Sequence, residues 1–303
     1  MITIEKLANW YMVSQCKYLG SVRFRTLLNL LGDDILAVFS MSDDKLLSIQ
    51  GITRQVVRRI REQAETRDKW TKFAEDQLQL MEKCGGGIVL LDDQRYPKFL
   101  KESPMCHPIL YYRGDIGRFQ NYSKSIAIVG SRNASYESLA IAESTAKELG
   151  KSGWVVVSGM ALGIDSAAHR GALEAKSLTM GVLGCGADVV YPVKSRELYD
   201  QITENGVIIS ELPFGTKVNA VWLQKRNKTI VAAAHGTFVV QAADGGGAMN
   251  AVRACKEQKK PIFTLVPKLD DKSFSGNATV LREFNGTAVM YASAHRDIER
   301  LLQ

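Results

Sequence analysis

Residues 125–169 read SIAIVGSRNASYESLAIAESTAKELGKSGWVVVSGMALGIDSAAH. Residues 126–129 form an apolar run too short for a helix and bounded by turn signals, the look of a strand buried on both faces. It runs into Gly130, Ser131 and Arg132. Residues 138–149 then place Leu139, Ala142, Ala146 and Leu149 on one helical face, and Gly150 and Gly153 end that helix. A second β-branched run, 154–157, enters the loop SGMALG at 158–163, and 165–175 read as a second helix. Strand, loop and helix twice over predict a parallel sheet with crossover helices. Neighbouring parallel strands end on one edge, so both loops are expected to open there, where such folds bind ligands. Both would present backbone N–H groups at helix starts, a cradle for phosphate.

The pattern continues toward the C-terminus. Strands are expected at 179–183, 207–210, 237–241, 261–266 and 287–290, with helices at 196–204, 249–258, 278–284 and 297–302. Gly181, Gly184 and Gly186 run G-x-x-G-x-G, which is not the dinucleotide fingerprint, so no nicotinamide cofactor is expected. Lys225, Arg226 and Lys228 crowd one turn at an expected helix start. Such a turn is either solvated or neutralised by an anion, and its place after a strand favours the anion.

Upstream, 88–91 and 109–115 read as strands with no helical crossover, expected to extend the sheet edge. Residues 1–83 read as a small all-α domain with a connecting helix at 68–83, and residues 84–303 as the α/β domain. Two segments, around Gly20 and around Gly51, put a Gly flanked by aliphatics ahead of a helix with basic residues near its start. This resembles the helix-hairpin-helix pattern, which would make Arg54 and Arg58, with Arg59 and Arg61, DNA contacts. The alternative is a compact helical module with solvated charges.

Composition narrows the class. The 303 residues carry a net charge of +7, a mild pull toward a polyanionic partner. The five cysteines are dispersed, with no CxxC or Cys/His cluster, so buried thiols are expected rather than disulfides or a metal site. No run approaches the ~20 apolar residues of a membrane span, and a cytoplasmic protein is expected.

Taken in order, residues 88–115, Val129-Gly130-Ser131-Arg132, 158–173 (SGMALGIDSAAHRGAL), 182–192 (VLGCGADVVYP), 210–213 (SELP) and Lys225-Arg226-Asn227 resemble the DNA-processing protein A (DprA, or Smf) family. The resemblance runs from about residue 85 to 286. It implies a Rossmann-like, mostly parallel sheet with flanking helices that binds single-stranded DNA and protects it. It also implies loading of a RecA-type recombinase during DNA uptake, typically by a homodimer, without catalysis or a cofactor. Carried over by position, Gly130, Ser131 and Arg132 would hold a DNA phosphate. Ser158, Gly159 and Ala161 would line the same pocket, and Lys225, Arg226 and Asn227 would supply its basic wall. The chain departs from the family where Leu162 replaces a usual basic residue, Glu137 a usual glycine and Gln241 a usual acidic residue; Leu223 and Gln224 replace a proline environment before Lys225. A relative diverted to another DNA-linked task, such as phage defence, would carry the same residues.

The remaining residues have competing roles. Arg132 suits a bidentate phosphate clamp, or an internal ion pair. Asp165 is expected to cap its helix, and His169 to be packed and hydrogen-bonded rather than catalytic. Glu211 could meet a sugar hydroxyl or brace a loop. Tyr191 and Trp222 could stack on bases or sit in the core. A rival reading is a nucleotide-sensing or phosphoribohydrolase-like module. Such enzymes carry a PGGxGTxxE loop, whereas residues 244–250 (DGGGAMN) lack its proline, threonine and glutamate.

Overall fold

The computed structural model describes residues 2–32, 34–104, 106–267 and 271–302. Six helices come first: α1 (Ile4–Ser14), α2 (Gly20–Leu31), α3 (Ala37–Ser40), α4 (Asp43–Leu47), α5 (Arg54–Ala64) and α6 (Arg67–Cys84). The strands follow: β1 (Gly86–Leu90), β2 (Ile109–Gly114), β3 (Ser125–Val129), β4 (Val155–Ser158), β5 (Thr179–Leu183), β6 (Val207–Ser210), β7 (Gly236–Val239), β8 (Ile262–Leu265) and β9 (Thr287–Val289). Among the described residues they make one sheet, in the order 1-2-6-5-4-3-7-8-9. The seven strands from β6 to β9 in that order run parallel, and β1 and β2 complete the edge antiparallel.

Helix α7 (Lys98–Glu102) links β1 to β2. Helices α8 (Tyr136–Lys151), α9 (Ile164–Glu174) and α10 (Arg196–Asn205) follow β3, β4 and β5. Two short helices, α11 (Ala220–Lys225) and α12 (Asn227–Ala232), join β6 to β7; α13 (Met249–Gln258), α14 (Ser275–Glu283) and α15 (Ala294–Leu302) follow β7, β8 and β9.

Strand alternation explains the layers. Ile126 and Ile128 of β3 face a core shared with Ala142, Ala146, Ala168 and Ile298 from α8, α9 and α15. Ala127 and Val129 face the opposite core, with Ile230 and Val252 from α12 and α13. That second core is continuous with Leu7, Trp10, Tyr11 and Phe24 of the first helices, packed over β1 and β2. Polar ties fasten the same seam. The Tyr11 and Tyr111 hydroxyls share a hydrogen bond of 2.5 Å. Buried Gln77 of α6 accepts from the Phe214 N–H at 2.9 Å. Arg25 of α2 donates to the Ser103 carbonyl at 2.8 Å and to Cys106 Sγ at 2.7 Å.

Some local expectations shift. The glycine run does not simply precede a strand: Gly86 and Gly87 lie inside β1, and a Cβ on Gly87 would meet the Tyr112 ring. α14 starts at Ser275 rather than 278, because Asn277 is wholly buried and bonds the Ala242 N–H and the Val240 carbonyl. The two glycine turns of the first helices touch, as Arg23 donates to the carbonyls of Gly51 and Tyr18.

Candidate nucleic-acid interface

The sheet changes direction at β3, which has β4 on one side and β7 on the other. Loops leaving β3 and β7 at such a switch point diverge and leave a crevice between them. Here the crevice is a cleft of about 760 Å³, floored by Gly130, Ser131 and Arg132 and walled by Ala161, Arg226 and Asn227. The loop 243–248 and Arg253 close its far side. A smaller, mostly apolar cavity of about 130 Å³ adjoins it behind Arg132 and Arg226, lined by Met160, Leu162, Leu183, Tyr191 and Leu223.

The first two turns are in backbone contact. Gly163 has φ of 83°, and a Cβ there would sit 2.3 Å from the Ser131 carbonyl oxygen. The Ile164 N–H donates to that same oxygen at 3.2 Å. Gln241 braces the Gly130 turn from β7: its carbonyl accepts from the Ser131 N–H at 2.8 Å, its side-chain oxygen from the Ser135 N–H at 2.8 Å, and its amide donates to Ser273. A carboxylate at 241 could not make that last bond. The Asn133 N–H is held by the Ser131 hydroxyl. The Ser131, Asn133, Ser135 and Ile164 amides of the expected cradle are thus bonded inside the protein, and guanidinium groups bring positive charge to the cleft.

Arg226 is the inner one. Its side chain is 10% exposed and lies across Gly159, where a Cβ would come within 1.6 Å of Nη1. Nη1 donates to the Val182 carbonyl at 2.9 Å, and Nη2 stands 3.9 Å from Asp165 Oδ2. Burial pushes the Asp165 carboxyl above its ordinary value and Arg226 opposes that shift, while the guanidinium keeps its proton. Asp165 is the buried carboxyl that faces this guanidinium. It is not the expected helix cap, since Gly163 holds that position and makes no side-chain cap bond. Arg132 is the outer group: exposed, at the cleft floor, and with no ion pair among the described residues.

Ser158 and Gly159 support the site from below rather than lining it. Ser158 is wholly buried, with its hydroxyl donated to the Ile128 carbonyl. The Gly159 carbonyl accepts from His169 Nε2 at 2.7 Å. His169 is buried, its other ring nitrogen lies 2.7 Å from the Thr179 hydroxyl, and burial pushes its pKa down to about 4. Buried Asn227 donates to the Gly247 carbonyl at 3.3 Å and links α12 to the 243–248 loop. Lys225 turns away. It ends α11 rather than starting a helix, and faces a separate recess of about 230 Å³ with Lys228, Glu211 and Cys106. The expected crowding of three cations is relieved locally: Arg226 by Asp165, Lys228 by Glu257 at 2.6 Å, and Lys225 by the Trp222 ring at 4.6 Å. Glu211 accepts from Thr229, a bracing role.

Among the described residues none of 1–83 lines the cleft. Arg54 and Arg58 are exposed on α5; Arg58 and Arg59 meet Glu62, and Arg61 is tied to Asp43 and to the Phe39 carbonyl. Among the described residues no group of His, Cys, Asp or Glu could hold a metal ion, and no helix is long and apolar enough to cross a membrane. The sequence reading missed Gln241 as the brace and Asp165 as the carboxyl facing Arg226. The signal for the first was its place just past β7; nothing local announced the second.

The structure thus combines a Rossmann-like, mostly parallel sheet with two guanidinium groups, Arg132 and Arg226, lining the cleft at its switch point. Residues 87–301 match the model of the DNA recombination-mediator protein A family, and the chain belongs to that family. Protein Smf of Synechocystis is 33% identical over 201 residues, which are 66% of this chain and 50% of that protein. The chain thus matches only half the length of that curated relative. A solved structure of DNA processing protein A from Helicobacter pylori, described for its single-stranded DNA binding mode, is 27% identical with a TM-score of 0.62; the match covers 71% of this chain and 95% of that one. The Streptococcus pneumoniae DprA structure, 23% identical, shares the fold over 96% of this chain and 97% of its own with a TM-score of 0.77.

Proposed function

We propose that this protein binds single-stranded DNA in the cleft between the Gly130 turn and the α11–α12 corner, and does so without catalysis. The observation that carries the reading is Arg132, exposed and without an ion pair among the described residues, in the same cleft as the mostly covered Arg226 at the sheet's switch point. Gly130, Ser131 and Ala161 shape the cleft, with Asn227 holding its wall. Lys225, in the recess behind the corner, serves a neighbouring phosphate, and Arg54 and Arg58 give a secondary contact. The DNA-binding mode described for the H. pylori relative supports this. Within the reading, residues 84–303 are the DNA-binding unit and residues 1–83 a helical unit docked on its edge. The biological task is protection of incoming DNA and loading of a RecA-type recombinase during uptake, by a cytoplasmic homodimer.

Arg132→Ala tests the assignment. Affinity for oligo-dT should fall at least ~10-fold, about 1.4 kcal/mol, and wild-type binding should weaken steeply with salt. Unchanged binding in a folded Arg132→Ala protein sinks the cleft. Tight, salt-insensitive binding of one mononucleotide would favour the nucleotide-sensing alternative instead.

A further inference from the structure

Helix α11 has no buried residue. It is held at its start by the Asn219 side chain, which accepts from the Val221 N–H at 2.8 Å. Its backbone rests on Gly184, where a Cβ would come within 2.8 Å of the Leu223 nitrogen. On this seat the helix turns apolar groups to solvent: Val221 is 53% exposed and Trp222 38%, with Val218 next to them at 37%. Exposed indole at this level is unusual in the chain. Of its four tryptophans, Trp10 and Trp154 are buried and Trp70 is half-buried.

The same helix is a wall of the cleft, through Ala220, Leu223 and Gln224. Its last residue, Lys225, opens instead into the recess it shares with Lys228. A cation, an aromatic group and a second cation therefore share this corner: Arg132 lines the cleft that α11 walls, and Trp222 of the same helix is 38% exposed with the Lys225 ammonium 4.6 Å from its indole centroid. A single strand presents the complement, charged phosphates with unpaired bases between them, whereas a duplex keeps its bases stacked inside. An acidic protein would answer the cations but has no flat apolar group every few ångströms for the indole.

We propose that α11 is a base-stacking platform. Trp222 receives one unpaired base of a strand whose backbone lies in the cleft, and Lys225 meets that nucleotide's phosphate. This rests on the DNA-binding reading of the cleft and adds to it the element that selects single strands over duplex.

The test uses the full chain with three probes of equal length: oligo-dT, an abasic tetrahydrofuran oligomer, and duplex. Trp222→Ala should bind oligo-dT about 10-fold more weakly. Its affinity for the abasic oligomer should fall far less, and its salt slope should stay close to that of the wild type, because the Lys225 charge remains although the ring beside it is gone. Trp222→Phe should keep most of the oligo-dT affinity but lose the fluorescence quenching that oligo-dT causes in the wild type. Circular dichroism confirms that the variants are folded, as an exposed side chain allows. Three results overturn the platform: wild-type affinity of Trp222→Ala for oligo-dT, equal losses on oligo-dT and abasic probes, or quenching that persists in Trp222→Phe. Arg132→Ala, run in parallel, separates the two ideas. If it alone weakens binding, the cleft stands and the platform falls; if neither variant weakens binding, the cleft falls and takes the platform with it.

Discussion

At the scale of single residues, the site depends on which group occupies the space above Gly159. The absence of a side chain there lets Arg226 lie flat between the ends of β4 and β5, against Asp165 and the Val182 carbonyl. Gly159→Ala puts a methyl group into the guanidinium and drives Arg226 from its seat. The expected outcome is a folded protein whose oligo-dT affinity, read by fluorescence anisotropy, drops about 10-fold; wild-type affinity would show that the seat is irrelevant. A motif comparison treats Gly159 as a lining residue. Its actual role is to leave room for a cation sixty-seven positions away, which no local pattern can reveal.

At the scale of elements, the first helices and the sheet hold each other through a few polar ties set in apolar surroundings. Gln77 of α6 is the clearest. Its side-chain oxygen accepts from the Phe214 N–H in the loop that leads from β6 toward α11. Gln77→Ala strands that buried amide, a cost of about 1–3 kcal/mol. Urea denaturation should show the loss as a lower midpoint with an unchanged slope, and an unaltered midpoint would mean that water replaces the bond. The expected helix 138–149 falls inside α8, which runs two residues further at each end: Ser135 caps its start, unannounced by the apolar spacing, and Gly150 is taken into its last turn. Helix boundaries were misread at the Lys225 corner, where α11 ends and α12 begins within one residue, because neither a Gly nor a Pro marks the break.

At the scale of the whole molecule, stability should carry the signature of a buried neutral histidine. His169 links the β4 exit to β5, and burial takes its pKa from 6.5 to about 4. The unfolded chain therefore binds the extra proton first as pH falls. The contribution is complete above about pH 6.5, declines between pH 6.5 and 4, and is gone below that, amounting to about 3 kcal/mol. His169→Gln should be less stable at pH 7 but lose less stability than wild type between pH 6.5 and 4; parallel curves would exclude His169 as the source. The parallel core and the meeting of the Gly130 and Ala161 turns were legible in residues 125–169 and their repeats; that 88–91 and 109–115 extend the sheet edge was legible too, but their antiparallel direction was not. Strand burial, helix periodicity and the shared edge of parallel strands are local rules that compose without knowledge of distance. Folding alone settled how the charges are spent: Arg226 bonded to the Val182 carbonyl and facing Asp165, Lys225 turned out toward Trp222, and Arg132 left to face the cleft. Those choices depend on which side chains share a space after segments scores of residues apart have packed, and sequence order does not encode that proximity.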